Sequence, residues 1–194
     1  MLAWTGVALR KVNLNSPYII GEFKEHHILK DQILNEINNQ KEFDRLVETH
    51  DAVDITRCDW NTSRWNYDRP WLQVVRPALF AHLQDVTKLL GYAEFKIREI
   101  WFQQYEQNSL HGWHVHGSNW TNVYFLELPK DCPKTQFINP YDQTTIGEFN
   151  VKEGDILTFP SYVIHRAPVN SSTHRKTIIS WNMDTELQPG LYTE

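Results

Sequence analysis

Three of the nine histidines fall within six residues near the middle of the chain, in the sequence His111-Gly112-Trp113-His114-Val115-His116. His114 and His116 are two residues apart, and residues at that spacing project from the same face of an extended strand. Imidazole is a good ligand for iron, zinc, copper and nickel, so this pair is a candidate half of a metal site. His111 has the opposite parity, and we expect it at the pocket rim or behind the ligands.

A further metal ligand has to come from another strand, and His165 is the best candidate. The segment before it opens with Gly154, continues as an apolar run suited to a buried strand, and turns at Pro160. A second short strand then carries His165. The pattern predicts a mononuclear metal site inside a β-barrel, and therefore an enzyme.

The elements that would position these histidines are short strands. They are predicted over 95–105, 113–116, 122–128, 135–138, 148–151, 155–159, 163–166 and 177–182, with turn-forming residues between them. About eight evenly spaced strands preceded by helices favour a barrel or sandwich, that is, a mainly β (α+β) fold.

The first half of the chain has a different pattern. Apolar residues at helical spacing predict a helix over 26–39, and a second helix is expected to begin at Pro77 and to end at Gly91. Residues 1–25 predict short strands with a turn at 15–17. We expect a single domain over 1–194, in which residues 1–92 support a catalytic core formed by 93–183.

Residues 40–72 carry several aromatic side chains among polar ones and predict an irregular segment. One interpretation is a lid over the site, formed by Trp60, Trp65, Tyr67 and Trp71. The other is a surface loop that its aromatic side chains pin to the body of the protein.

Composition excludes some classes of partner and location. Lys and Arg number 19 against 24 Asp and Glu, so the net charge of −5 disfavours nucleic acid and a membrane surface as general partners. Cys58 and Cys132 are the two cysteines and lie far apart, which indicates a reduced, cytoplasmic protein. No apolar run is long enough to span a membrane.

The order of these motifs resembles that of the iron(II)- and 2-oxoglutarate-dependent oxygenases, especially their small bacterial and phage members. The resemblance covers roughly residues 95–182, and it implies a double-stranded β-helix, a jelly-roll or cupin-like barrel, backed by two N-terminal helices. The matching residues are Trp101, Gln103, Tyr105, His114, His116, Val123–Leu126, Gly154, Phe159–Ser161, His165, Arg175 or Lys176, and Trp181–Asn182.

The resemblance implies that iron(II) is bound by His114, His116 and His165. His116 occupies the position that is usually Asp or Glu in the two-histidine, one-carboxylate triad. Two alternatives therefore remain open: His116 ligates the metal, forming a three-histidine site, or it stands aside and water takes its place.

Further residues are implied to hold the 2-oxoglutarate co-substrate. Gln103 and Tyr105 are two apart on the preceding strand, and Tyr124 and Asn182 are additional candidates; the competing interpretation is a barrel strand with one tyrosine in the core. A buried cation must face the distal carboxylate. Arg175, ten residues after His165, is favoured by residue type, whereas counting back six residues from Asn182 gives Lys176. Because neighbours on a strand face opposite ways, only one of the two can point inward.

The implied activity is oxidation of a peptidyl or small-molecule substrate by dioxygen, with decarboxylation of 2-oxoglutarate to succinate. The alternatives are a cupin-type dioxygenase or isomerase and a non-catalytic metal-binding jelly roll. The cupin interpretation is weakened because the glutamate expected shortly after the His-x-His pair is missing from 117–120. The sequence gives no indication of oligomeric state.

Overall fold

The computed structural model describes residues 16–49 and 52–186. The helices are α1 (His26–Asn39), α2 (Trp60–Ser63) and α3 (Pro70–Leu89). The strands are β1 (Ile19–Glu22), β2 (Asp44–Glu48), β3 (Val53–Cys58), β4 (Glu94–Tyr105), β5 (Leu110–His114), β6 (Trp120–Glu127), β7 (Gln136–Ile138), β8 (Ile146–Glu148), β9 (Asp155–Pro160), β10 (His165–Ala167) and β11 (Lys176–Glu186). Within these ranges no helix is long and apolar enough to cross a membrane.

The strands form one curled sheet in the order β1-β9-β6-β11-β4-β3-β5-β10-β7-β8, with β2 attached to β3. Each of these pairings is antiparallel, and the long strand β11 lies between β4 and β6. Neighbours in space are mostly distant in sequence, as in a jelly roll, where the chain crosses repeatedly between the two halves of a barrel. The prediction of a mainly β jelly-roll barrel backed by helices is confirmed.

Both faces of the central strands are buried, and side chains alternate between two cores. Along β6, Tyr124 and Leu126 pack towards α1 and α3, whereas Val123 and Phe125 point into the barrel. Because each fully buried apolar side chain stabilises the fold by about 1.5–3 kcal/mol, the two cores together hold the sheet in its curled shape. A residue's parity along its strand therefore decides whether it can reach the barrel interior.

The helices cover the outer face of the sheet. Helix α1 spans the predicted residues and buries Ile33 and Ile37. Helix α3 begins at Pro70 rather than at Pro77, so the predicted start was wrong. Pro70 lies in the first turn, where a missing N–H costs nothing, and Pro77 lies inside the helix with its ring exposed.

Residues 40–72 were predicted to be irregular, and that prediction was wrong. They form β2, β3, α2 and the start of α3, which are joined to the barrel by a buried carboxylate. Asp59 accepts hydrogen bonds from Arg69, from the indole N–H of Trp71 and from the main-chain N–H of Phe102. Residue 15 of the turn predicted at 15–17 and the residues before it lie outside the described part of the chain.

Candidate metal centre

Sheet register brings the predicted histidines together. His165 on β10 lies opposite His114 at the end of β5, and their ring centroids are 4.3 Å apart. His116 follows the strand end, where its main-chain N–H donates to the carbonyl of Ser161. One ring nitrogen from each of the three histidines lies within 4.8 Å of the others. Neighbouring nitrogens bound at about 2.0–2.1 Å to one ion are about 3–3.4 Å apart, so the rings would move closer together on binding it.

Hydrogen bonds orient two of the three rings as metal ligands. The Nδ1–H of His114 donates to the carbonyl of Gly112 over 2.8 Å, and that of His165 donates to the carbonyl of Val163 over 2.9 Å. In a neutral imidazole this leaves the Nε2 lone pair free. Burial lowers the pKa of both rings, which favours the neutral form that binds a metal.

His116 has different surroundings. Its Nδ1 lies 3.3 Å from the amide nitrogen of Asn182, which also donates to Glu99 over 2.6 Å. The amide oxygen of Asn182 accepts from the hydroxyl of Thr121 over 3.0 Å. Burial, aided by the neighbouring His114, lowers the pKa of His116 to about 3. His116 therefore joins the cluster as a neutral ring, but it contacts a side-chain donor rather than a main-chain acceptor.

The parity argument for His111 was wrong because β5 contains a bulge. His114 pairs with His165 and His111 pairs with Ala167, so two residues of β5 oppose the single residue Arg166. The bulge turns His111 to the face of His114, and the two rings stack with centroids 3.9 Å apart. His111 stays outside the group of three whose nitrogens converge, at the edge of the site as expected. A glycine inside a strand pattern, here Gly112, is the signal that could have indicated the bulge.

The three histidines line a narrow interior pocket. Gln103 and Tyr105, both predicted to hold the co-substrate, also line it. Gln103 is buried and accepts a hydrogen bond from the hydroxyl of Ser180 on the facing strand β11 over 3.4 Å. Tyr105 is fully buried. These side chains are in position to contact a ligand that reaches the histidines.

Lys176 and Arg175 face opposite ways. Lys176 is 1% exposed; its Nζ donates to the carbonyl of Pro133 over 3.0 Å and lies 4.8 Å from the centroid of the Tyr105 ring. Burial lowers the pKa of Lys176 to about 8. Arg175 points outward and forms an ion pair with Glu127 at 2.9 Å. Of the two candidate cations, the structure places Lys176 beside the pocket and Arg175 on the outer side of β11.

Tyr124 does not face the pocket. Its side chain points to the helix side of the sheet, where its hydroxyl lies 2.7 Å from Nδ1 of His26 and its ring packs on Phe23. The prediction that Tyr124 contacts the co-substrate is wrong, because β6 turns it to the opposite face from Val123, which does line the pocket.

A cleft of about 410 Å³ lies outside the histidines and shares His111, His114, His116 and Trp101 with the interior pocket. Of the four aromatic residues predicted to form a lid, Trp60 lines this cleft. Trp71 lies on α3 and is buried in the hydrophobic core, the Tyr67 hydroxyl donates to the carbonyl of Ile97, and Trp65 is exposed. None of those three lines the cleft, and the segment that carries them is a set of regular elements rather than a surface loop. Trp113 and Glu48 complete the cleft walls.

No protein-family model and no curated protein matches the sequence. Solved structures do match. An oxidoreductase of the 2OG-Fe(II) oxygenase family from Burkholderia pseudomallei aligns with a TM-score of 0.68 and 14% identity, over 86% of this chain and 84% of that one. The alpha-ketoglutarate-dependent epimerase SnoN of nogalamycin biosynthesis aligns with a TM-score of 0.63 and 10% identity, over 91% and 83% of the two chains.

A viral collagen prolyl hydroxylase from Paramecium bursaria chlorella virus 1, solved with 2-oxoglutarate, aligns with a TM-score of 0.60 and 11% identity, over 88% of this chain and 96% of that one. At these identities the likeness shows a shared fold. The chain therefore has the double-stranded β-helix fold of the iron(II)- and 2-oxoglutarate-dependent oxygenases.

Proposed function

We propose that the protein is an iron(II)- and 2-oxoglutarate-dependent oxygenase. The observation that carries the proposal is the convergence of His114 and His165 at one end of a barrel pocket beside which Lys176 is buried. Each feature alone has a structural explanation, since buried histidines and lysines occur in many cores. Together, two histidines that can hold a metal ion and a buried lysine in the same barrel suit a dicarboxylate that binds the metal at one end and the lysine at the other.

The residues present fit a metal ion. His114 and His165 each have Nδ1 hydrogen-bonded to a main-chain carbonyl, which is the usual arrangement behind a metal-bound imidazole. His116 occupies the third corner of the cluster. A site with fewer than four protein ligands and no cysteine suits iron better than a closed structural zinc site.

The residues present also fit a dicarboxylate. Lys176 is a fully buried ammonium, and within the described ranges no carboxylate pairs with it. A bound anion would therefore offset the free-energy cost of removing this charge from water. Gln103 and Tyr105 line the pocket with the histidines and offer an amide and a hydroxyl, and the Tyr105 ring lies 4.8 Å from the ammonium of Lys176. The interior pocket is narrow, so 2-oxoglutarate would enter from the outer cleft, and Lys176 would exchange the Pro133 carbonyl for a carboxylate oxygen.

When bound, iron(II) and 2-oxoglutarate supply, with dioxygen, the oxidising power to hydroxylate a C–H bond, while 2-oxoglutarate is decarboxylated to succinate. The protein's own side chains hold the reactants in register and exclude water. The substrate would lie in the outer cleft against Trp60, Trp101 and Trp113, whose indole rings suit an apolar or ring-shaped group of a peptide or small molecule.

The test is an anaerobic titration of the protein with iron(II) and then 2-oxoglutarate, followed by absorption spectroscopy. We expect a weak visible charge-transfer band once both are bound, and succinate once oxygen is admitted. A protein that gives neither the band nor succinate would favour a cupin-type enzyme or a binding protein with the same barrel.

A further inference from the structure

His116 differs from the other two histidines in what holds its ring. In His114 and His165 the Nδ1–H donates to a main-chain carbonyl, and Nε2 is left with a free lone pair. In His116 the Nδ1 faces the amide group of Asn182 at 3.3 Å. The tautomer of His116 therefore depends on which end of that amide faces the ring.

The surroundings of Asn182 fix the orientation of its amide. One side of the group faces the carboxylate of Glu99 at 2.6 Å, and a carboxylate can only accept, so this side must be the NH₂. The other side accepts from the hydroxyl of Thr121. Glu99 is itself held by Arg64 at 3.3 Å. Turning the amide over would place two oxygens 2.6 Å apart.

With its amide in this orientation, Asn182 donates to Nδ1 of His116. A neutral imidazole that accepts at Nδ1 carries its proton on Nε2. The Nε2 nitrogen is then an N–H donor with no lone pair to give to a metal. The same tautomer argument that makes His114 and His165 ligands makes His116 a donor.

We propose that His116 is a hydrogen-bond donor at the metal site and that a monovalent anion from solution takes the third ligand position. The inference rests on the proposed function and assigns a role to a residue of that same site. Asn182 and Glu99 are positioning residues, because they act on the site through the His116 ring.

Charge explains why the ligand would be an anion rather than water alone. In a two-histidine, one-carboxylate site with a basic anchor, the dication and the anchor are balanced by the carboxylate and the dianionic co-substrate. Here His116 accepts a hydrogen bond at Nδ1 and is therefore a neutral ring, so with Lys176 charged the same assembly has one uncompensated positive charge in a low-dielectric interior. Glu99, the nearest carboxylate in the network described above, is separated from the site by Asn182 and paired with Arg64.

The experiment uses cobalt(II), whose visible spectrum reports its ligands without any turnover. We expect His114→Ala and His165→Ala to weaken cobalt binding by more than about 100-fold, because a residue that only supports a ligand typically changes metal affinity by about 10–100-fold. We expect His116→Ala to weaken cobalt binding by less than about tenfold. His116→Asp supplies an anionic ligand in place of the donor, and we expect it to bind cobalt more tightly than the unmodified protein.

Sodium azide then probes the third position. With 2-oxoglutarate bound, we expect azide to change the cobalt spectrum of the unmodified protein saturably and to bind more weakly to His116→Asp, because the new carboxylate occupies the third position. Chloride at the same ionic strength, with sulfate as the non-ligating control, tests whether a halide competes with azide. Circular dichroism of each variant shows that it is folded.

Loss of cobalt from His116→Ala as complete as that from His114→Ala would overturn the inference and leave the proposed function standing, as a three-histidine site. An unmodified protein that binds cobalt but shows no azide response would overturn the anion site. An unmodified protein that binds no cobalt would overturn the inference and the proposed function together.

Discussion

His165 lies directly opposite His114 in the antiparallel pairing of β10 with β5, and the two ring centroids are 4.3 Å apart. The candidate site is therefore made by strand register and not by a local sequence motif. Because side chains alternate along a strand, a slip of one residue would turn one of the two rings out of the barrel. The site and the fold are specified by the same pairing.

Removal of either paired imidazole is expected to abolish stoichiometric iron binding. His114→Ala and His165→Ala each delete one of the two nitrogens whose lone pair the hydrogen bonds leave free. Iron content after anaerobic reconstitution and desalting measures the effect. His174→Ala is the matched control, since His174 is exposed and contacts Asp131 away from the pocket. Retention of one equivalent of iron by either test variant would contradict the assignment.

Lys176→Met is expected to abolish 2-oxoglutarate binding and to raise stability. The ammonium of Lys176 is buried without a carboxylate partner in the described structure, and methionine fills a similar volume without the desolvation cost. Replacing a buried charge with an apolar side chain of similar size is worth about 1–4 kcal/mol in favourable cases. Calorimetric titration with 2-oxoglutarate and urea unfolding measure the two effects.

Arg175→Met is the control for Lys176→Met. Its ion pair with Glu127 lies outside the barrel, so we expect 2-oxoglutarate affinity to be unchanged and stability to change by less than about 1 kcal/mol. If Arg175→Met lost the co-substrate and Lys176→Met kept it, the assignment of the anchor would be reversed.

The pKa of Lys176 predicts a dependence of stability on pH. Burial lowers this pKa from its ordinary value of 10.5 to about 8, so between these values the folded protein binds fewer protons than the unfolded chain. The free energy of unfolding therefore rises between about pH 8 and 10.5, by about 3 kcal/mol in total, and this group contributes none of that gain below pH 8. Urea unfolding across this range checks it.

The comparison that isolates Lys176 is the difference between the unmodified protein and Lys176→Met at each pH. Tyr105 and Tyr124, whose pKa values burial raises, affect stability only as the pH approaches about 10, where the tyrosines of the unfolded chain begin to ionise. We expect the advantage of the methionine variant to shrink as the pH rises. An advantage that stays constant from pH 7 to 10.5 would contradict the lowered pKa.

Sequence patterns predicted the parts of the site that depend on period alone. The same-face pair His114 and His116, the remote His165 and a barrel or sandwich follow from strand alternation and turn residues, and the family resemblance implied the jelly roll. For the buried cation, the spacing from Asn182 in the family motif indicated Lys176, while residue type favoured Arg175. In the structure Lys176 lies inside the barrel, because side-chain direction is set by the pleat and not by chemical preference.

Other features of the site depend on contacts between residues far apart in the chain, which the periodicity of the sequence does not indicate. The bulge that turns His111 inward is a property of the pairing of two strands, and Gly112 was its sole local signal. Tyr124 was misassigned because both faces of β6 are buried, so that burial alone does not identify the barrel face. The contacts of Asn182 with Glu99 and His116 join residues that are far apart in the sequence.

The buried pair Asp59–Arg69 is expected to be the strongest single ionic contribution to keeping α3 on the barrel. Asp59 is fully buried and also accepts from Trp71 and Phe102, so Asp59→Ala leaves an unpaired guanidinium and two unpaired N–H groups in the interior. We expect a loss of about 3–5 kcal/mol in the free energy of unfolding. Asp54→Ala, which breaks a largely exposed pair with Arg45, should cost less than about 1 kcal/mol. Urea unfolding at neutral pH compares the two, and equal losses would show that burial does not govern the difference.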